Sequence, residues 1–195
     1  MYHDVVIAGF GGQGVLFMGN LLAEAGMEEG FHVTFMPAYG VEMRGGTANC
    51  NVIVSSEEVG SPITDSPLSG IIMNEASLLR FLPSIQKDGF LFYNSSLIPE
   101  EAVSRNDIQV VPVPANDLAQ KVGSAQVASL IILGCFIEWT QALRKESFPH
   151  ALEEMISPKA REKFLPLNLA ALEEGIRYAQ ELKQKGSKAL AGKPA

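Results

Sequence analysis

Three glycines at fixed spacing are the first residues that could do chemistry: Gly9-Phe10-Gly11-Gly12-Gln13-Gly14, a G-x-G-x-x-G segment. It follows a β-branched run and precedes a stretch with helical periodicity. In that setting glycines allow a tight turn and a close backbone approach, and the helix behind them offers free N–H groups and a positive dipole end to an anion. A nicotinamide site also needs a carboxylate at the end of the second strand to hold the ribose hydroxyls. Here that strand ends Thr34-Phe35-Met36-Pro37, and the first arginine after it is Arg44. The loop therefore points to a phosphate, a cofactor edge or a partner's backbone, against a plain turn required only for helix–sheet packing.

A second loop, Tyr39-Gly40-Val41-Glu42-Met43-Arg44-Gly45-Gly46-Thr47, follows the second strand. Two glycines beside an arginine combine close approach with a guanidinium suited to an anion, although Glu42 and Arg44 could simply pair at the surface. Asn94 and Ser95 follow a later strand and could complete the same crevice or merely form a turn. No nucleophile–base pair stands out. Ser95 and Ser96 lack a G-x-S-x-G elbow, and Cys50 lies in a strand-like run with no histidine near it in sequence. The two cysteines, Cys50 and Cys135, form no Cys-x-x-Cys, and His3, His32 and His150 do not cluster, so no metal-ligand spacing exists. Catalytic and metal-binding residues are accordingly expected to be absent.

The elements that must position these loops alternate. Tyr2–Ala8 reads as a strand, Val15–Glu29 as a helix ended by Gly30, and Phe31–Met36 as a strand stopped by Pro37. This is a βαβ pattern, which implies a parallel sheet with a right-handed crossover. Ala48–Ser55, Gly70–Met73, Gly89–Tyr93 and Ile108–Val111 read as strands, with Pro112 and Pro114 closing the last. Asn116 is the expected N-cap of a short helix through Val122, and Asn168 that of the last helix. Gln126–Thr140 is too short to span a bilayer and reads as a core or interface helix, with core favoured. The expected fold is α/β, a single-domain Rossmann-like sandwich with a mainly parallel sheet flanked by helices. It occupies residues 1–185, followed by a flexible C-terminal tail over 186–195.

The chain has 195 residues, of which 47% are hydrophobic and 19% charged, which is enough apolar surface for one core and excludes a disordered chain. A net charge of −7 without a basic stripe argues against nucleic acid. No apolar run reaches membrane-spanning length, and the N-terminus lacks a signal-peptide pattern, so a cytoplasmic protein is expected.

Together, Gly9–Val15, Tyr39–Thr47, Ala48-Asn-Cys-Asn51, Gly60-Ser-Pro62, Met73-Asn74, Asn94-Ser-Ser96 and Asn168-Leu-Ala170 resemble the gamma subunit of the 2-oxoacid:ferredoxin oxidoreductases over nearly the whole chain. The Glu42-Met43-Arg44 form is more similar to the 2-oxoglutarate and branched-chain (ketoisovalerate) members than to the indolepyruvate ones, and Val41 stands where many members have proline. The resemblance implies a complex with alpha, beta and ferredoxin-like delta subunits that oxidises a 2-oxoacid to an acyl-CoA and reduces ferredoxin. Thiamine diphosphate, Mg²⁺ and iron–sulfur clusters would then lie on companion subunits, with none bound by this chain alone, which matches its lack of a cysteine cluster. Gly11, Gly12, Gln13 and Gly14, flanked by Arg44, Gly45 and Gly46 and by Asn94 and Ser95, would contact those subunits or an anionic part of coenzyme A. The competing readings are a stand-alone nucleotide-binding oxidoreductase and a pure scaffold, and the isolated chain could form a homodimer.

Overall fold

The computed structural model describes residues 1–39 and 46–191, the side chains of Tyr39 and of 186–191 excepted. Six strands form one sheet: β1 (Tyr2–Phe10), β2 (His32–Tyr39), β3 (Thr47–Ser55), β4 (Ser69–Ile72), β5 (Phe90–Asn94) and β6 (Gln109–Val113). Their spatial order is β2-β3-β1-β4-β5-β6. β1, β4, β5 and β6 are mutually parallel, and β3 runs antiparallel to both neighbours. The helices are α1 (Val15–Glu28), α2 (Glu75–Phe81), α3 (Ala115–Val122), α4 (Ala128–Thr140), α5 (Phe148–Met155) and α6 (Pro158–Ala191). The α/β class and the mainly parallel sheet are as the sequence pattern implies.

β1 and β2 run parallel, as the βαβ pattern implies, with β3 inserted between them. Burial explains the insertion. Cys50, Val52 and Val54 pack beneath α1 while Ile53 and Ser55, pointing the other way, are also buried, so β3 is buried in part on both faces and takes an interior place. β2 carries Pro37 within the strand and goes to the edge, where a missing N–H costs least. Pro112 likewise sits inside β6, the opposite edge, rather than closing it.

Two further expectations fail at helix ends. Asn116 lies inside α3, whose N-cap is Pro114. Asn168 lies inside α6, which also passes through Pro166. Leu165, Leu167 and Leu169 on one stretch and Leu172, Ile176 and Leu182 on the next all pack on the same core, and that continuous burial outweighs the local break. α6 also takes in Gly186–Ala191, the first part of the stretch set apart as a tail.

α4 is the core helix, with every residue from Ala128 to Ile137 buried. Phe136 fixes it to the sheet, meeting Phe92 of β5 and His3 of β1 edge-on at 5.3 and 5.5 Å between centroids. Its other side meets α6 so closely that a Cβ at Gly134 would strike the Leu172 carbonyl, and one at Gly175 the Ile131 carbonyl. Gly175→Ala is expected to destabilise the fold by about 2–4 kcal/mol through backbone separation, read as a lower denaturation midpoint with an unchanged slope.

His3 is 8% exposed and bonds Ser69 Oγ at 2.9 Å. Burial lowers its pKa to about 4, partly offset by nearby Asp4. The unfolded imidazole takes up a proton near 6.5, so the unfolded state binds more protons as pH drops below that value. His3 should therefore remove about 3 kcal/mol of stability between pH 6.5 and 4, and His3→Gln should flatten that part of the stability–pH profile.

Candidate functional site at the carboxyl edge of the sheet

β1, β4, β5 and β6 all end at one edge, and the loops there converge on the glycine turn. Gly14 is the N-cap of α1, in the left-handed region at φ 75°, with no side chain capping the helix. A side chain there would be strained, and its Cβ would lie 2.5 Å from Ser129 Oγ. Gly12, at φ 97°, faces open space. The Gly11 N–H donates to the Gly46 carbonyl at 2.9 Å, which ties the start of β3 to the turn.

Gln13 points inward and braces the turn. Its Oε1 accepts from the Phe10 N–H at 2.7 Å and from Asn74 Nδ2 at 2.8 Å, and its Nε2 donates to the Met73 carbonyl at 3.3 Å. Asn74 in turn caps α2 by accepting from the Ser77 N–H at 2.9 Å. One carboxamide thus joins the ends of β1 and β4.

Asn94 is fully buried at the end of β5. It donates to Asn116 Oδ1 at 2.7 Å and accepts from the Ser96 N–H at 3.3 Å. It is a positioning residue, whose effect on the crevice passes through Asn116. Ser95 is held through its N–H on the Val113 carbonyl at 2.9 Å. Arg44 and Gly45 lie outside the described residues.

Between the first turns of α1 and α4 lies a pocket of about 150 Å³ lined by Gly12, Gln13, Met73, Asn116, Ala125, Gln126, Ala128 and Ser129. Its volume equals that of roughly five waters in the liquid. Ser129 is 5% exposed and lines this pocket. Two helix N-termini, the Ser129 side chain and the Asn116 carboxamide border it, and none of its lining residues is charged. Sequence reasoning missed Ser129 and Asn116 as pocket residues. The usable signal was a lone serine opening an otherwise apolar helix.

Nucleophilic chemistry is not supported here. Cys50 and Cys135 are buried free thiols whose pKa values burial pushes up to about 12. No group of three or more His, Cys, Asp or Glu among the described residues could hold a metal. These residues fit neither an iron–sulfur cluster nor Mg²⁺.

The fold and site together define a glycine-loop α/β domain with a small pocket between two helix N-termini. The chain belongs to the pyruvate ferredoxin/flavodoxin oxidoreductase family, whose model matches residues 4–178. It is 40% identical to the ketoisovalerate oxidoreductase subunit VorA of Methanothermobacter thermautotrophicus over 178 residues, covering 91% of this chain and 36% of that protein. It therefore spans only about a third of that relative's length. The 2-oxoglutarate synthase subunit KorC of Methanothermobacter marburgensis is 29% identical over 187 residues, 93% of this chain and 98% of the relative. Among solved structures, 2-oxoglutarate:ferredoxin oxidoreductase from Magnetococcus marinus, with 2-oxoglutarate, coenzyme A and succinyl-CoA bound, shares the fold. Its TM-score is 0.83 at 22% identity, over 92% of this chain and 31% of that one.

Gln13→Ala should cost about 1–3 kcal/mol by leaving the Phe10 N–H and the Asn74 amide without their acceptor. Faster hydrogen exchange at the Phe10 amide, with exchange in α4 unchanged, is the expected local signature.

Proposed function

We propose that this chain is the gamma-type subunit of a multi-subunit 2-oxoacid:ferredoxin oxidoreductase. The complex would convert a 2-oxoacid and coenzyme A to acyl-CoA and CO₂, passing two electrons to ferredoxin. The observation that carries this reading is the alignment with VorA across 91% of the chain. Higher identity to the ketoisovalerate relative than to KorC favours a branched-chain 2-oxoacid over 2-oxoglutarate.

Within the complex, alpha, beta and ferredoxin-like delta subunits hold thiamine diphosphate, Mg²⁺ and the iron–sulfur clusters, which supply the decarboxylation and electron transfer. This chain's own residues contribute binding and position. Gly11–Gly14 and the first turn of α1 receive a phosphate of coenzyme A or a companion's backbone, and Ser129 and Asn116 supply hydrogen bonds from the opposite wall. Gly46, bonded to Gly11, flanks them, Asn94 and Ser95 hold the crevice from behind, and Arg44 and Gly45, outside the described residues, would join them. Desolvated amides and hydroxyls of this kind fix a ligand's orientation while the cofactor does the chemistry. Among the described residues no helix is long and apolar enough to cross a membrane, which supports a cytoplasmic complex.

The test is anaerobic purification of the complex from its host, followed by 2-oxoacid- and CoA-dependent reduction of a ferredoxin substitute. Ketoisovalerate should be the better substrate. Ser129→Ala, which removes the hydroxyl without adding an atom, should raise the KM for coenzyme A about tenfold with kcat little changed. Absence of 2-oxoacid oxidation would overturn the reading, and an unchanged KM would remove coenzyme A from this pocket.

A further inference from the structure

β2 and β3 are fully covered on one face only. Val33, Phe35, Cys50 and Val54 point to α1, against Gly19 and Gly26. On the other face stand Thr34, Met36 and Ala38 of β2, beside Asn49 and Asn51 of β3, with Phe10 at the rim. The 56–68 connection reaches only part of this face, through Glu58 and Val59 at Thr34 and through Thr64, Asp65 and Pro67 at Asn51. Met36 is left 40% exposed and Phe10 36%.

The composition of this face is unlike a solvated surface. None of these six side chains is charged, in a chain that is 19% charged. Thr34 Oγ1 is buried without a hydrogen-bond partner among the described residues. Exposed apolar groups beside uncharged amide side chains are what an interface centre presents. The adjoining edge of β2 is a poor alternative, because Pro37 interrupts its row of donors.

The relatives indicate what covers this face. The same domain makes up 36% of VorA and 98% of KorC, so it exists both joined to a further polypeptide and as a separate chain. A domain found in both states has a partner: the part that is fused in one case and must be bound non-covalently in the other. We infer that the β2–β3 face is the docking surface for the companion polypeptide that corresponds to the remaining two thirds of VorA. This rests on the assembly proposed above and adds the surface that makes it.

Met36→Lys and Ala38→Glu place opposite charges on exposed positions of this face, so folding is not at stake. Each tagged variant, expressed in the host beside its natural companions, should retain about tenfold less of the VorA-like companion per mole of chain than the parent. Quantitative mass spectrometry reads the ratio, and thermal unfolding confirms the fold. Ala170→Lys, on exposed helix α6, should leave the ratio unchanged. Parent-like ratios in both face variants would overturn the inference. Conversion of a homodimer to a monomer with the companion retained would overturn it too and assign the face to a second copy. If the parent chain itself brings down no companion, the assembly reading fails and this inference falls with it.

Discussion

The burial of α4 on all sides is the constraint on which the rest of the molecule depends. A helix with no solvated face must be closed on one side by the sheet and on the other by a second helix. Phe136 on Phe92 and His3 provides the first closure, and the backbone-to-backbone approach at Gly134 and Gly175 provides the second. α6 must therefore be long and continuous to act as a lid, which is why Pro166 does not end it. The same placement sets Ser129, in the first turn of α4, against Gly14 at the first turn of α1. The pocket is a by-product of core packing. Its geometry is stiff because neither wall can move without opening the core.

The place of β3 decides what the glycine loop can bind. In a dinucleotide domain the second strand lies beside the first and brings its terminal carboxylate to the ribose. Here β3 displaces β2 by one strand, about 4.8 Å, and β2 carries no carboxylate at its end. The loop keeps the half of the recognition that needs only backbone and dipole, and loses the half that needs a neighbouring side chain. A phosphate or a protein backbone satisfies what remains. Gln13 strengthens this conclusion, because its carboxamide is spent on Phe10, Met73 and Asn74 and is not free for a ligand.

Much of this was legible in the sequence. Every strand and most helices follow from periodicity, and the glycine loop lies where the strand-to-helix change places it. What could not be read were consequences of long-range packing. Strand order depends on which strand is buried on both faces, and Ile53 opposite Cys50, Val52 and Val54 reveals that only after the sheet is assembled. Asn116 has the residue type of a cap, but its partner, Asn94, is 22 residues away. Asn168 has the right neighbours for a helix start, yet burial on both sides of it prevails over local preference. Ser129 looked like filler in an apolar run because its importance comes from Gly14, more than 100 positions earlier.

The incompleteness of the site agrees with the rest of the molecule. An isolated enzyme surrounds its substrate with charge, a nucleophile or a metal. This chain offers dipoles and neutral hydrogen bonds on one side of a small pocket, and its two thiols are held in the unreactive protonated form. The fold also leaves one uncharged sheet face open, on the half of the sheet that carries the glycine loop. A pocket without a catalyst and a face without charges are independent observations, and both describe a domain shaped to work against another polypeptide. The matched region is 36% of VorA and 98% of KorC, which agrees with the proposed assembly.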